Sequence, residues 1–213
     1  RFSDAANAIY HFVWHELCDW YIELAKPHLH QPEGIEQDAP RTARRHVVQG
    51  VLASALETTM RLLHPFAPYV TEEIWQKLPK PPQLPGSLMI TVFPRGDATY
   101  IDKQAEAEMK LVQDTAVGCR MLKATYGLAP AESAMVGVRA TGASAPILER
   151  FEDAIERTAR VKMTVAATFD GNADFAKVSG KEVISSEGEI VMPLGDNIDA
   201  DAEKARIKKD IGK

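Results

Sequence analysis

The chain has 213 residues and a mass of 23.5 kDa, enough for one large domain or two small ones with an ordinary core. Its 45% hydrophobic and 26% charged residues match a globular composition, and no apolar run reaches the roughly 20 residues that span a bilayer. A net charge of −5 excludes a generic polyanion binder, because phosphate binding needs local positive potential.

Ser3 to Lys26 reads as a long helix capped by Ser3 or Asp4. Ile9, Phe12, Val13, Leu17, Trp20, Tyr21 and Leu24 recur at helical spacing, and Tyr10, Trp14, Cys18 and Ile22 make a second apolar face. A helix apolar on two sides belongs at the centre of a bundle, and this one would run roughly 35 Å before Pro27 stops it. A polar loop, His28 to Pro40, follows. The second long helix is expected over Arg41 to Leu63, with Asp38 or Ala39 at its cap, Pro40 in its first turn and Pro65 at its end. Its inward stripe is Val47, Val48, Val51, Leu52, Ala55, Leu56, Thr59, Leu62 and Leu63. A short helix, Pro68 to Leu78, carries Glu72 and Glu73 near its start, where the macrodipole favours acids, and turns Ile74, Trp75 and Leu78 inward.

Four prolines between Pro79 and Pro85 make a stiff connector, and Ser87 to Phe93 has the pattern of a strand. Asp102 then opens a third long helix that reaches Tyr126, with Ala105, Met109, Val112, Ala116, Cys119 and Tyr126 inside and Gly127 at its C-terminal cap. After Pro130 the period changes. Ala134 to Ala140 reads as a strand, Pro146 to Thr158 as an amphipathic helix and Val161 to Thr168 as an alternating strand. Phe175 to Val178 and Glu189 to Leu194 are further strand candidates with turns at Gly180 and Gly188, and Asp199 caps a charged helix still running at Lys213, as if cut.

Cys18 and Cys119 cannot form a disulfide framework, and no charged-then-apolar leader precedes Arg1-Phe2-Ser3-Asp4, so a reducing cytoplasm is expected. No Walker-type loop, G-x-G-x-x-G turn or G-x-S-x-G elbow is present, and Lys177-Val178-Ser179-Gly180-Lys181 reads as a hairpin turn rather than a phosphate loop. His11 and His15 stand at zinc-binding spacing, and His15-Glu16-Leu17-Cys18-Asp19 mimics H-E-x-x-H, which opens a metal-dependent hydrolase using His11, His15 and Glu16 as an alternative. It lacks a third ligand at sensible spacing, so the stripe is read as structural and no metal is expected. Phe12, Trp14, Trp20, Tyr21, Phe66, Tyr69 and Trp75 could stack on bases, but their helical spacing assigns them to core packing.

Charge is unevenly distributed. Residues 1 to 38 hold two basic side chains against seven acids, whereas residues 39 to 56 hold Arg41, Arg44 and Arg45 against none. These arginines share one face of the first turns of a helix, and their planar forks suit phosphate. Pairing with Glu36 and Asp38, or plain solvation, accounts for them equally well.

Two segments carry a resemblance. Arg1-Phe2-Ser3-Asp4-Ala5-Ala6, continuing through Phe12-Val13-Trp14-His15-Glu16-Leu17-Cys18-Asp19-Trp20-Tyr21-Ile22-Glu23, closely resembles the aromatic-rich helix of valyl-tRNA synthetases. Leu62-Leu63-His64-Pro65-Phe66-Ala67-Pro68-Tyr69-Val70-Thr71-Glu72-Glu73-Ile74-Trp75 resembles the helix-ending motif of class I synthetase anticodon-binding domains. Weaker likeness continues at Ser87 to Pro94, at Arg120-Met121-Leu122-Lys123 with Gly127-Leu128-Ala129-Pro130, and at Val191-Met192-Pro193-Leu194 leading into Asp199.

The resemblance implies a mainly α fold: an anticodon-binding helical bundle over residues 1–100, a small α+β domain over 101–198, and the start of a coiled-coil arm over 199–213. It further implies a noncatalytic, tRNA-binding portion of a valine–tRNA ligase, monomeric and cytoplasmic. The partners would be valine tRNA and the catalytic domain of the same chain. No cofactor is expected in this portion; the parent would use ATP. Arg41, Arg44 and Arg45 become the expected phosphate contacts, with Arg1, Lys26, Arg120 and Lys123 as lesser candidates. A structural scaffold without RNA binding is the competing reading.

Overall fold

The computed structural model describes residues 1–30, 39–169, 175, 178–185 and 188–193. The chain divides into two compact units, Arg1–Ile101 and Asp102–Lys213. The expected arm over 199–213 lies outside the described residues.

The first unit is helical. Its opening rod comprises α1 (Phe2–His11), a π-helical stretch (Phe12–Ile22) and α2 (Glu23–Leu29). Helical backbone angles persist across both junctions. The rod starts at Arg1 rather than on a Ser3 or Asp4 side-chain cap, and Asp4 instead pairs with Arg1 at 3.1 Å within the first turn. Pro27 does not stop it. A proline costs most where it removes an interior hydrogen bond, and here one more turn closes through His30 N–H to the Lys26 carbonyl at 2.9 Å.

The second long helix, α3, is Ala39–Leu63, and Pro40 does lie in its first turn. Tyr21 donates to the Val48 carbonyl at 3.4 Å and ties the rod to α3. Burial raises the Tyr21 phenol above its ordinary value. The inward stripe of α3 is narrower than its apolar pattern: Thr59 is buried, but Val47 and Val51 are exposed. Glu57 and Met60 are buried instead.

Helix α4 (Pro68–Lys77) locks onto α3 through the motif residues. Trp75, fully buried, donates its indole N–H to Glu57 at 3.1 Å. Arg61 holds the other Glu57 oxygen at 2.6 Å and reaches the Val92 carbonyl at 3.1 Å. A buried carboxylate is tolerable only when paired and hydrogen-bonded, and Glu57 is both. His64 Nδ1 lies 2.9 Å from Thr71 Oγ1, whose proton goes to the Ala67 carbonyl at 2.8 Å, which makes the imidazole the donor. Met60, Trp75 and Leu88 form the core here, with Leu63, Leu78 and Leu84 packed on them. Ile74, expected inside, faces outward.

The expected strand Ser87 to Phe93 is not one. Glu72 captures the Ser87 hydroxyl at 3.1 Å and the Leu88 N–H at 2.8 Å, and Leu88–Ile90 curls into a 3₁₀ turn that buries Leu88. A carboxylate of the preceding helix thus takes an N–H that a ladder would need.

The second unit is a four-stranded sheet packed with helices. Helix α5 (Lys103–Thr125) is capped by Asp102, whose Oδ1 accepts from the Gln104 and Ala105 N–H groups at 3.0 Å. Gly127, at φ +72°, supplies the left-handed turn after it. Val112, Ala116 and Cys119 are buried as expected, whereas Ala105 is exposed.

Strand β1 is Ala134–Ala140 and β2 is Val161–Ala166, paired in parallel with Ala134 opposite Val161. The crossover expected as a single helix is broken at Phe151 into α6 (Ser144–Arg150) and α7 (Glu152–Ala159). β3 (Val178–Ser185) and β4 (Gly188–Pro193) close the order β2-β1-β4-β3 as antiparallel additions. Gly180 and Gly188, expected in turns, lie within these strands; Gly180 stands at a register irregularity. Phe175 is buried outside any strand, and Lys177 lies outside the described residues. The Phe169 and Phe175 rings meet with centres 4.4 Å apart and planes tilted by 38°, over Val191 and Gly137.

Candidate nucleic-acid interface

Helix α3 brings Arg41, Arg44 and Arg45 together by periodicity, since residues three and four apart are neighbours on a helix surface. Arg41 and Arg44 are exposed and Arg45 is half-buried. The first turn of α3 contains no acidic residue, so the cationic side chains sit where the macrodipole is also positive. Glu36 and Asp38, the acids expected to compete for them, lie outside the described residues.

Two lesser candidates lie on the opening rod. Arg1 pairs with Asp4, and Lys26 pairs with Glu23. Both pairs are exposed and local, of the kind solvent screens strongly, so either cation can exchange its carboxylate for a phosphate.

The other two lie on α5 and have different fates. Arg120 is exposed and donates to the Thr158 carbonyl through Nε at 3.3 Å and Nη2 at 2.9 Å. Lys123 corrects the expectation. It is only 2% exposed, and its ammonium is ringed by the carbonyls of Pro130, Glu132, Ala159 and Arg160 at 2.5 to 3.2 Å. Burial, followed by the nearby Arg160 charge, holds its pKa below the ordinary lysine value. With its three protons turned toward backbone oxygens, this lysine pins α5 to the loop after it and to the α7–β2 junction, and presents nothing to a phosphate.

The aromatic assignment is also corrected. Trp75 is core and Trp20 and Tyr21 are half-buried, but Trp14 is 54% and Tyr69 90% exposed, with Phe12 and Phe66 also exposed. Tyr10 and Trp14 stack with their planes 5° apart on an open face of the rod. His11 and His15 lie beside them, ring centres 5.3 Å apart, and His15 meets Asp19 at 3.3 Å. The sequence shows this second apolar face, but periodicity alone does not say whether anything covers it. Among the described residues no three His, Cys, Asp or Glu side chains gather in a way that could hold a metal ion. The Cys119 thiol is pushed up to about 12, chiefly by burial, which makes it a poor nucleophile.

The residues that carry the resemblance at 62–75 therefore build scaffold. Thr71, Glu72 and Trp75 spend their hydrogen bonds on the fold.

Comparison with known proteins agrees in kind. The family described as "Anticodon-binding domain of tRNA ligase" matches residues 1–138. The valine–tRNA ligase of Geobacter sulfurreducens is 36% identical over 216 residues, covering 100% of this chain and 23% of that protein. Those of Symbiobacterium thermophilum and Rhizobium meliloti are each 35% identical, covering 99% and 100% of this chain and 24% and 21% of their own lengths. The chain thus spans about a quarter of the length of these curated relatives. No helix among the described residues is long and apolar enough to cross a membrane.

Proposed function

The chain belongs to the anticodon-binding domain family of tRNA ligases, and from that premise we propose that it is the noncatalytic, tRNA-reading portion of a valine–tRNA ligase. The whole protein would attach valine to its tRNA with ATP in the cytoplasm, as a monomer. All bond-making would lie in the catalytic part of the same polypeptide, and this portion would need no cofactor.

The observation that carries the reading is the basic island on α3. Three arginines share the first turns of a helix whose sequence holds no acid from residue 39 to 56, inside a chain of net charge −5. Recognition of an unpaired loop needs a few well-placed cations and polar groups rather than a wholly basic surface. Arg41, Arg44 and Arg45 would contact the RNA backbone, with Arg1, Lys26 and Arg120 adding weaker contacts.

The test is a titration of valine tRNA at two salt concentrations, with an anticodon-swapped tRNA as control. Replacing Arg41, Arg44 and Arg45 together by Glu is expected to weaken binding and to reduce the slope of log affinity against log salt by about 2, since each phosphate contact contributes about 0.7 to 0.9. Unchanged affinity and slope would remove these arginines from the interface. Equal affinity for both tRNAs would sink the reading of the anticodon and favour a scaffold.

A further inference from the structure

A cavity of about 430 Å³ lies wholly within the second unit, between the C-terminal half of α5, the loop that follows it and the α7–β2 junction. Pockets that hold small ligands span roughly 300 to 1,000 Å³, so the size suits one. Its lining combines Arg120, Lys123 and Arg160 with the apolar Leu128, Pro130 and Ala159. Among the described residues that line it none is acidic, in a chain whose net charge is −5.

The cationic side is held in place. Arg120 donates twice to the Thr158 carbonyl, which fixes its guanidinium beside the end of α7. Two residues on, Arg160 closes α7 with φ 53° and ψ 59°, a left-handed conformation that glycine ordinarily supplies. It is the single non-glycine residue with positive φ among the described residues. A helix C-terminus favours a cation, but Arg157 already provides one in the last turn without that backbone cost. The Arg160 side chain is exposed, and no hydrogen bond or ion pair engages it among the described residues.

The arginines also crowd Lys123. Burial first, then the Arg160 charge and last that of Arg120 hold the Lys123 pKa down, while Glu132 and Cys119 oppose them. Glu132 does not line the cavity, and its carboxylate accepts the Ala129 N–H at 3.3 Å. An anion between the two guanidinium groups would relieve this repulsion, and their planar forks match phosphate oxygens. The apolar side is equally fixed, since Leu128 N–H donates to the Lys123 carbonyl at 2.9 Å.

We propose that this cavity binds one nucleotide unit, its phosphate held by Arg120 and Arg160 and its sugar and base laid against Leu128, Pro130 and Ala159. Lys123 contributes charge but no donor, because its protons face carbonyls. An RNA strand and a free nucleotide offer the same chemistry; the choice of RNA as the source rests on the tRNA-binding reading above.

The probes are valine tRNA, adenosine 5′-monophosphate and adenosine, each titrated into the 213-residue chain and into its Arg160→Gly variant. Glycine keeps the left-handed backbone and removes the guanidinium, so the variant should melt no lower than the parent. The monophosphate should shift the Leu128 amide resonance of the parent, with adenosine about tenfold weaker and the variant unresponsive. Affinity of the variant for tRNA should fall about fivefold at low salt, and its salt slope by about 0.7 to 0.9, as for one phosphate contact. Arg160→Lys should recover part of both. Loss of tRNA affinity and slope assigns the cavity to the RNA strand; a monophosphate shift with tRNA affinity unchanged assigns it to a free nucleotide. Neither effect, or equal shifts by adenosine and its monophosphate, overturns the proposal. So does a lower melting temperature of Arg160→Gly, which would make Arg160 part of the fold. A monophosphate shift without anticodon discrimination by the parent removes the RNA reading alone. Discrimination with an inert Arg160→Gly and no shift removes the cavity alone.

Discussion

Lys123 has the composition of a binding residue and the surroundings of a structural one. Its ammonium is the common donor to four carbonyls, so Lys123→Met would strand backbone acceptors in a buried site. The expected cost is about 3 kcal/mol, as for breaking a buried charged cluster. Urea unfolding of the second unit measures it, and the salt slope of tRNA binding should not change. Gly137 sets a second limit. A Cβ there would sit 2.6 Å from one atom of the Phe169 ring and 2.9 Å from the Phe175 ring, both buried. Gly137→Ala is therefore expected to destabilise by about 1 to 3 kcal/mol through overpacking, read in the same melts.

Acid sensitivity is also a matter of single residues. Glu72 is held below the ordinary carboxylate range by the Gln76 side chain first, with the Leu88 N–H, the Ser87 hydroxyl and the His64 charge adding to it against a raising effect of burial. A carboxylate with a depressed folded pKa contributes stability above its unfolded value, here near 4.5, and loses it as pH falls through the folded value. Melting temperature should thus hold at neutral pH and fall below about pH 4.5, and Glu72→Gln should flatten that fall. An unchanged acid limb in Glu72→Gln would show that the motif carboxylate is not ionised in the fold.

At the scale of elements, α3 is the informative one. Cations near a helix N-terminus oppose the macrodipole, and Arg41 stands in that first turn. Arg41→Glu is expected to weaken tRNA binding in the same titration, and unchanged affinity would remove Arg41 from the interface. The opening rod shows a different principle. Its pattern at 3.6 residues per turn assigns Phe12 to the core, but the π-helical stretch from Phe12 to Ile22 takes more residues per turn and moves side chains around the axis. Phe12 and Trp14 are nonetheless exposed, as Tyr10 is before the stretch begins, while Leu17 is buried.

At the scale of the whole molecule, much was legible from local chemistry. The caps at Asp102 and Gly127, the proline in the first turn of α3 and the strand β1 all follow from forces acting within a few residues, whereas Glu72 and Glu73 fall beyond the first turn of α4. So does the clustering of Arg41, Arg44 and Arg45, because helical spacing guarantees a shared face. The family was legible too, through a motif whose residues hold the bundle together.

What local chemistry could not decide was which partner each group would meet. Lys123 and Arg120 stand three apart on one helix and look alike in sequence, yet one is enclosed by carbonyls from distant loops and the other reaches the surface. Ser87 to Phe93 looks like a strand in sequence, but pairing needs an edge, and Glu72 captured the Leu88 amide instead. Propensity and periodicity are properties of a segment by itself. Burial, pairing and charge exposure are set by whatever comes to lie opposite, and only the folded arrangement supplies that.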